Sequence, residues 1–255
     1  MSAASRPRPV PGVSAQELAS LSHEFRTPLN GVLGMARLLE GTRLTAEQRS
    51  YVAALTESGE HLLSLVNDVL DYARLGAGKV ELRPAPMAVE DLLRSVCELL
   101  SPKAQEKGLE IAWAAPAGAG RILADEGRLR QILLNFAGNA VKFTQAGGVM
   151  IGVSQRPGGR LRFLVEDTGP GVSPEARAGI FEAFAQAELG AQAGGAGLGL
   201  AIARSLAGAM DGQVGVRAAA GGGAAFWFEA AFPAVAAEAA PGPLAGRTVG
   251  IASPN

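Results

Sequence analysis

"LASLSHEFRTPLNGVLGMARLL", residues 18–39, repeats its apolar side chains every seven positions, and that spacing decides the first part of the fold. Leu18, Phe25, Val32 and Leu39 form one series, and Leu21, Pro28 and Met35 form a second offset by three. Two such series make the seam of a helical bundle. "EGTRLT" (40–45) interrupts the pattern. A second helix follows, with Val52, Gly59, Val66 and Ala73 in one series and Leu55, Leu62 and Val69 in the other. So short a break predicts an antiparallel helical hairpin. Two helices cannot bury two apolar seams alone, so the pattern predicts a homodimer in which two hairpins complete a four-helix bundle.

The same stretch carries His23. With Leu18 and Phe25 at a positions, His23 falls at f, farthest from the seam and facing solvent. Thr27 lies one turn on and Asn30 one heptad on, so the three share an outward stripe, with Glu24 beside it. Pro28 removes the hydrogen bond to the Glu24 carbonyl and bends the helix. An imidazole with an ordinary pKa of about 6.5 is a usable nucleophile at neutral pH when a carboxylate holds the proton on its other nitrogen, and Glu24 is placed for that task. Taken alone, a histidine on a solvated face is more often inert.

Composition narrows the field. A chain of 255 residues fits two modest domains. With 23 basic and 24 acidic residues its net charge is −1, too even a balance to gather nucleic acid or coat an anionic membrane. The single cysteine, Cys97, excludes an internal disulfide and fits a reducing compartment. No apolar run approaches the roughly 20 residues of a membrane helix, and the opening "MSAASRPRPVPG" lacks the apolar centre of a signal peptide. The expectation is a cytoplasmic protein that touches neither nucleic acid nor membrane.

Beyond residue 86 the period changes. "GGVMIGVSQRPGGRLRFLVED" (147–167) alternates Val149, Ile151 and Val153, turns at "RPGG", and alternates Leu161, Phe163 and Val165. That is an antiparallel strand pair with one buried face. "GQVGVRAAAGGGAAFWFEAAF" (212–232) repeats the design with Phe226 and Phe228 inward. Amphipathic helices lie between, the clearest opening after Asp125, a natural N-cap. The fold expected is an α+β two-layer sandwich with an antiparallel sheet and helices on one face. The division is a lead at 1–13, the hairpin at 14–78, a connection at 79–86, the sandwich at 87–233, a linker at 234–243 and the start of another unit at 244–255.

Three motifs point to a nucleotide site. "NFAGNAVKFT" sets Asn135, Asn139 and Lys142 on neighbouring turns of one helix; amide oxygens suit a hard cation such as Mg²⁺, and lysine suits phosphate. "VEDTGPGV" places Asp167 at a strand end, followed by Gly169 and Gly171, which let the backbone approach a flat ligand. "AGGAGLGLAIARSLAG" places Gly194, Gly195, Gly197 and Gly199 directly before a helix, where free N–H groups and the dipole cradle phosphate. Singly, each could be a polar helix edge, an ordinary turn or a surface loop. In this order they read as one site.

The sequence resembles the transmitter core of a sensor histidine kinase, most closely the hybrid type. "SHEFRTPLNGVLG" is similar to that family's H box, "NFAGNAVKFT" to its N box, "DTGPGV" to its G1 box, "IFEAFAQAE" to its F box and "GGAGLGLAIAR" to its G2 box. The likeness runs from about Gln16 to Pro233. It implies a dimerising phosphotransfer hairpin joined to an ATP-binding sandwich of the kind shared with gyrase, Hsp90 and MutL. It also implies His23 as phosphoacceptor, Glu24 as its acid/base partner, and Thr27 as a residue able to position water for dephosphorylating a partner. In the sandwich it implies Asn139 on Mg²⁺ with Asn135 beside it, Lys142 on phosphate, Asp167 on the adenine amine, and Gly169, Gly171, Gly195, Gly197, Leu198 and Gly199 around ATP. The implied reaction is autophosphorylation and transfer to an aspartate of a response-regulator receiver domain.

Two departures stand out. "QAELGAQAGGAG" (186–197), the candidate lid, has no Lys or Arg, and Ala196 stands where the family usually has Thr or Ser. "GRTVGIASPN" (246–255) resembles the first strand of a receiver, yet Ser253 and Pro254 occupy the positions of its metal-binding acids. The expectation is a chain cut from a longer hybrid protein whose next domain is a pseudo-receiver. With about twenty residues ahead of His23, input is expected from the C-terminal side or from a partner. Two other classes compete: a clamp-type ATPase of the same sandwich fold, and a dimeric phosphotransfer scaffold with an idle nucleotide domain. The H box opposes the first, and the intact Asn139, Asp167 and glycines oppose the second.

Overall fold

The computed structural model describes residues 15–76, 81–116, 120–185 and 197–235, without the side chains of 15–23 and 74–76. Helices α1 (Ala15–Glu40) and α2 (Ala46–Gly76) form the hairpin. Arg26 Nη2 donates to Asn67 Oδ1 at 2.9 Å and Arg37 Nη2 to Glu60 Oε1 at 3.2 Å, a ladder that descends one helix as it climbs the other. A reciprocal cap starts α2: Gln48 N–H donates to Thr45 Oγ1 at 3.1 Å and Thr45 N–H to Gln48 Oε1 at 2.9 Å.

Within one chain the hairpin seam differs from the heptad count. Leu33 and Ala36 of α1 are buried, as are Val52, Gly59 and Leu70 of α2, and Leu33 packs over Gly59. Phe25, Val32, Met35 and Leu39, counted into the seam, are open, as are Leu55, Leu62 and Val69. Each helix carries two apolar stripes. One closes the hairpin, and the heptad count on α1 tracked the other.

The sandwich is built from β1 (Ala85–Ala88), α3 (Val89–Glu106), β2 (Glu110–Ala114), β3 (Arg121–Ala124), α4 (Glu126–Phe143), β4 (Gly148–Arg156), β5 (Arg160–Asp167), α5 (Pro174–Gly179), α6 (Gly199–Ala209), β6 (Gln213–Ala218), β7 (Ala224–Ala231) and β8 (Ala234–Val235). Its main sheet runs β2-β4-β5-β7-β6, and a small sheet runs β1-β3-β8. The alternation holds: Val149, Ile151, Val153, Leu161, Phe163, Val165, Phe226 and Phe228 are all buried under α3, α4 and α6. Asp125 caps α4, its Oδ1 accepting from Arg128 N–H at 3.1 Å.

The sheet is mixed rather than wholly antiparallel. β2 pairs parallel to β4, because the chain between them crosses over through β3 and α4. The edges also extend the sandwich beyond 87–233. Ala85 and Pro86 belong to β1, and Ala234 and Val235 pair with Ile122 and Arg121 of β3. Strands of four and two residues are too short to show an alternation. The lead 1–13, the segment 186–196 with Gly194, Gly195 and Ala196, and the tail 244–255 with Ser253 and Pro254 lie outside the described residues. Among those described, no helix is long and apolar enough to cross a membrane.

Candidate functional site

Helix α4, the end of β5 and the start of α6 surround one cavity of about 560 Å³. Asn135, Asn139 and Lys142 line it from α4, Asp167 and Gly171 from β5 and the turn beyond, and Gly197, Leu198 and Gly199 from the entry to α6. Leu134, Val172, Ile180 and Phe226 add apolar walls. A cavity lined by both apolar and polar groups suits a base joined to phosphates.

Asp167 is the buried acid of the site, 7% exposed. Its Oδ1 accepts from Gly169 N–H at 2.9 Å and Ala224 N–H at 3.1 Å, which fixes the carboxylate in place. Gly169 therefore acts on Asp167 rather than as part of the cavity lining. Gly223 (φ +79°) passes so close that a Cβ there would drive into the Asp167 carbonyl oxygen. Gly171 (φ +76°) backs onto it, with its missing Cβ 3.0 Å from the Gly223 carbonyl oxygen. Gly223 and Ala224 were not singled out from the sequence, although the run "GGG" at 221–223 was visible in it.

Asn135 ties two motifs together: its Nδ2 donates to the Gly199 carbonyl at 2.8 Å. A Cβ on Gly199 would stand 3.2 Å from Asn135 Oδ1, so the first turn of α6 sits hard against α4. Burial lowers the pKa of Lys142 from its ordinary value, because the charged ammonium loses water. Lys107, another residue the sequence did not flag, donates from Nζ to the carbonyls of Val141 at 2.8 Å, Lys142 at 2.7 Å and Thr144 at 3.0 Å. A cation there satisfies the open carbonyls of the last turn of α4, the turn that carries Lys142.

Among the described residues, the hairpin contributes one lining residue, Asp68 of α2. Burial first, and the charge of Asp71 second, raise its pKa to about 6. Asp71 itself accepts from Gln131 Nε2 of α4 at 2.8 Å. His23 lies on α1, with its side chain outside the described residues, and Glu24 and Thr27 are exposed on the same helix. Neither Glu24 nor Thr27 lines the cavity. No group of three or more His, Cys, Asp or Glu that could hold a metal occurs among the described residues. The Asn139 amide oxygen in the lining suits Mg²⁺, which keeps waters and takes phosphate oxygens instead of a protein cage.

Two family models match the chain. The His Kinase A (phospho-acceptor) domain covers residues 14–78, and the Histidine kinase-, DNA gyrase B-, and HSP90-like ATPase covers 124–234. The chain is 43% identical over 220 residues to the sensory/regulatory protein RpfC of Xanthomonas campestris pv. campestris, a match spanning 83% of this chain and 30% of RpfC. It is 37% identical over 223 residues to the signal transduction histidine-protein kinase BarA of Escherichia coli K12, spanning 85% of this chain and 24% of BarA. Among solved structures, full-length ShkA in complex with AMPPNP matches with a TM-score of 0.78 and 66% identity, covering 95% of this chain and 51% of that one. The chain thus spans about a quarter to a third of these curated relatives. With the phosphoacceptor model on the hairpin and the ATPase model on the sandwich, the chain belongs to the sensor histidine kinases and covers their transmitter core.

Proposed function

We propose that this chain is a protein-histidine kinase that phosphorylates His23 from ATP and passes the phosphoryl group to an aspartate of a receiver domain. The observation that carries the reading is the cavity, in which an acid fixed by two backbone N–H groups faces a helix bearing Asn139 and Lys142. Asp167 accepts from the adenine amine, since a carboxylate offers only acceptors. Lys142 and the N–H groups of Gly197, Leu198 and Gly199 take the phosphates. Asn139 holds Mg²⁺, which neutralises phosphate charge when bound.

His23 attacks the γ-phosphorus in line. A nitrogen–phosphorus bond forms, the bond to the β,γ-bridging oxygen breaks, ADP leaves, and Glu24 takes the proton from the imidazole's other nitrogen. Thr27, one turn beyond His23, positions water when the same hairpin dephosphorylates its partner. The open stripe of Phe25, Val32, Met35, Leu39, Leu55, Leu62 and Val69 supports a homodimer through a four-helix bundle. The receiver is either a separate protein or a later part of a longer hybrid chain. A cytoplasmic location, where ATP is available, fits this reading.

Incubation with Mg²⁺ and γ-labelled ATP tests the reading. Acid-labile, base-stable label on the wild type, absent from His23→Ala and Asp167→Ala, is the expected result. ATP binding without label on a folded protein would instead mark a phosphotransfer scaffold.

A further inference from the structure

Helix α2 does more than complete the hairpin. Its C-terminal turns rest on the sandwich: Tyr72 packs on the sandwich core, Asp71 accepts from Gln131, and the helix lies against α6. This contact is level with the start of α1's active stripe, because Asn67 is bonded to Arg26, three residues beyond His23. Asp68, between Asn67 and that contact, lines the same cavity as Asn135, Asn139, Lys142 and Asp167. Neither the motifs nor the family resemblance gives any residue of α2 a part in handling nucleotide.

A carboxylate in the cavity that takes polyphosphate has a defined electrostatic consequence. It repels a bare phosphate chain, and a divalent cation on that chain cancels or reverses the repulsion. The effect is reciprocal: an occupant that Asp68 disfavours also loosens the seat of α2 on α4. We infer that Asp68 is a hairpin-supplied part of the nucleotide site, and that its carboxylate makes the cavity prefer cation-loaded nucleotide over the bare polyphosphate anion. The inference rests on the ATP-binding reading of the same cavity. Asp71 and Gln131 are positioning residues in it, holding the helix turn that presents Asp68.

Equilibrium titration of the whole chain with ATP at pH 8, once with excess Mg²⁺ and once with EDTA, tests it without requiring any phosphorylation. At that pH the Asp68 carboxyl is ionised. For Asp68→Asn, affinity for metal-free ATP should rise about 5- to 10-fold while affinity for ATP with Mg²⁺ changes less than about 2-fold. The Mg²⁺-to-EDTA affinity ratio then falls by the same factor. Asp68→Glu should keep the wild-type ratio, and Gln131→Ala, which frees Asp71, should shift it in the direction of Asp68→Asn. Sound binding with an unchanged ratio in Asp68→Asn overturns the role of Asp68 alone, as does an equal loss of both affinities. Absence of ATP binding in every variant overturns this inference and the nucleotide site together.

Discussion

The ammonium of Lys107 lies 3.0 Å from the carbonyl oxygen of Thr144, joining the C-cap of α3 to the C-cap of α4. The same nitrogen reaches the Val141 and Lys142 carbonyls, so one side chain closes the last turn of the helix that lines the nucleotide cavity. Lys107→Met should cost about 1–2 kcal/mol, the range for an exposed cation at a helix C-terminus with charge-assisted hydrogen bonds. Thermal unfolding would fall by about 3–6 °C. The Thr144 amide, which donates to Ala140 at 3.0 Å, should exchange hydrogen faster. A melting temperature within a degree of wild type would show the lysine to be idle.

Gly223 and Gly222 give a matched pair. Both have positive φ, +79° and +91°, but a Cβ on Gly222 meets nothing within 4 Å while one on Gly223 would stand 2.8 Å from Asp167 Oδ1 and collide with the Asp167 backbone. Gly222→Ala should cost about 1 kcal/mol of backbone strain and leave nucleotide affinity within about 2-fold. Gly223→Ala should displace Asp167 and weaken ATP binding by at least about 100-fold, since the acid loses both position and backbone donors. Equal affinities for the two variants would mean that the Asp167 carboxylate does not read the base.

Much of this architecture was legible because its signals are local. Val149, Ile151 and Val153 point one way along a strand whatever the rest of the chain does, and Asp125 caps α4 through its own neighbours. What escaped was nonlocal. Which of the two apolar stripes on α1 meets α2 depends on the fit of Leu33 over Gly59, where a Cβ would stand 2.8 Å from Leu33 Cδ2. The parallel pairing of β2 depends on a crossover, and β8 depends on β3, more than a hundred residues earlier. Asn135, Asn139, Lys142 and Asp167 sit in motifs visible in the sequence, and the fold brings all four to one cavity. Lys107 and Gly223 meet residues 34 or more positions away, and Asp68 reaches the cavity from the hairpin, and no spacing rule connects any of them to what it meets.

The open apolar stripe predicts the oligomer. Leu62 is 51% exposed in the single chain, and burying such a side chain is worth about 1.5–3 kcal/mol. A two-fold dimer counts each substitution twice, so Leu62→Asp should weaken association by at least about 100-fold. Light scattering on the eluting protein should show a dimer for wild type and a monomer for Leu62→Asp. Leu33→Ala, inside the hairpin, should lower stability without the same selective effect on mass. A wild type that stays monomeric at high micromolar concentration would leave the stripe without this role.

Cys97 offers a test of core integrity that needs no ligand. It sits on α3, 8% exposed, and burial with the nearby Glu98 charge pushes its thiol up to about 11. Only the thiolate alkylates, and at pH 8 a pKa of about 11 leaves on the order of 0.1% in that form, against about a quarter for an unfolded cysteine. Native protein should therefore react with iodoacetamide at least about 100-fold more slowly than protein in denaturant. The sign for stability follows from the same shift. A thiol whose folded pKa is raised contributes stability that is complete below its ordinary value and is lost as pH climbs through about 9 towards 11. Cys97→Ala should flatten that alkaline loss while lowering stability at pH 7 by about 1 kcal/mol for the small cavity it leaves. Rapid labelling of the native chain at pH 8 would show that α3 opens in solution and that its packing over the sheet is not maintained.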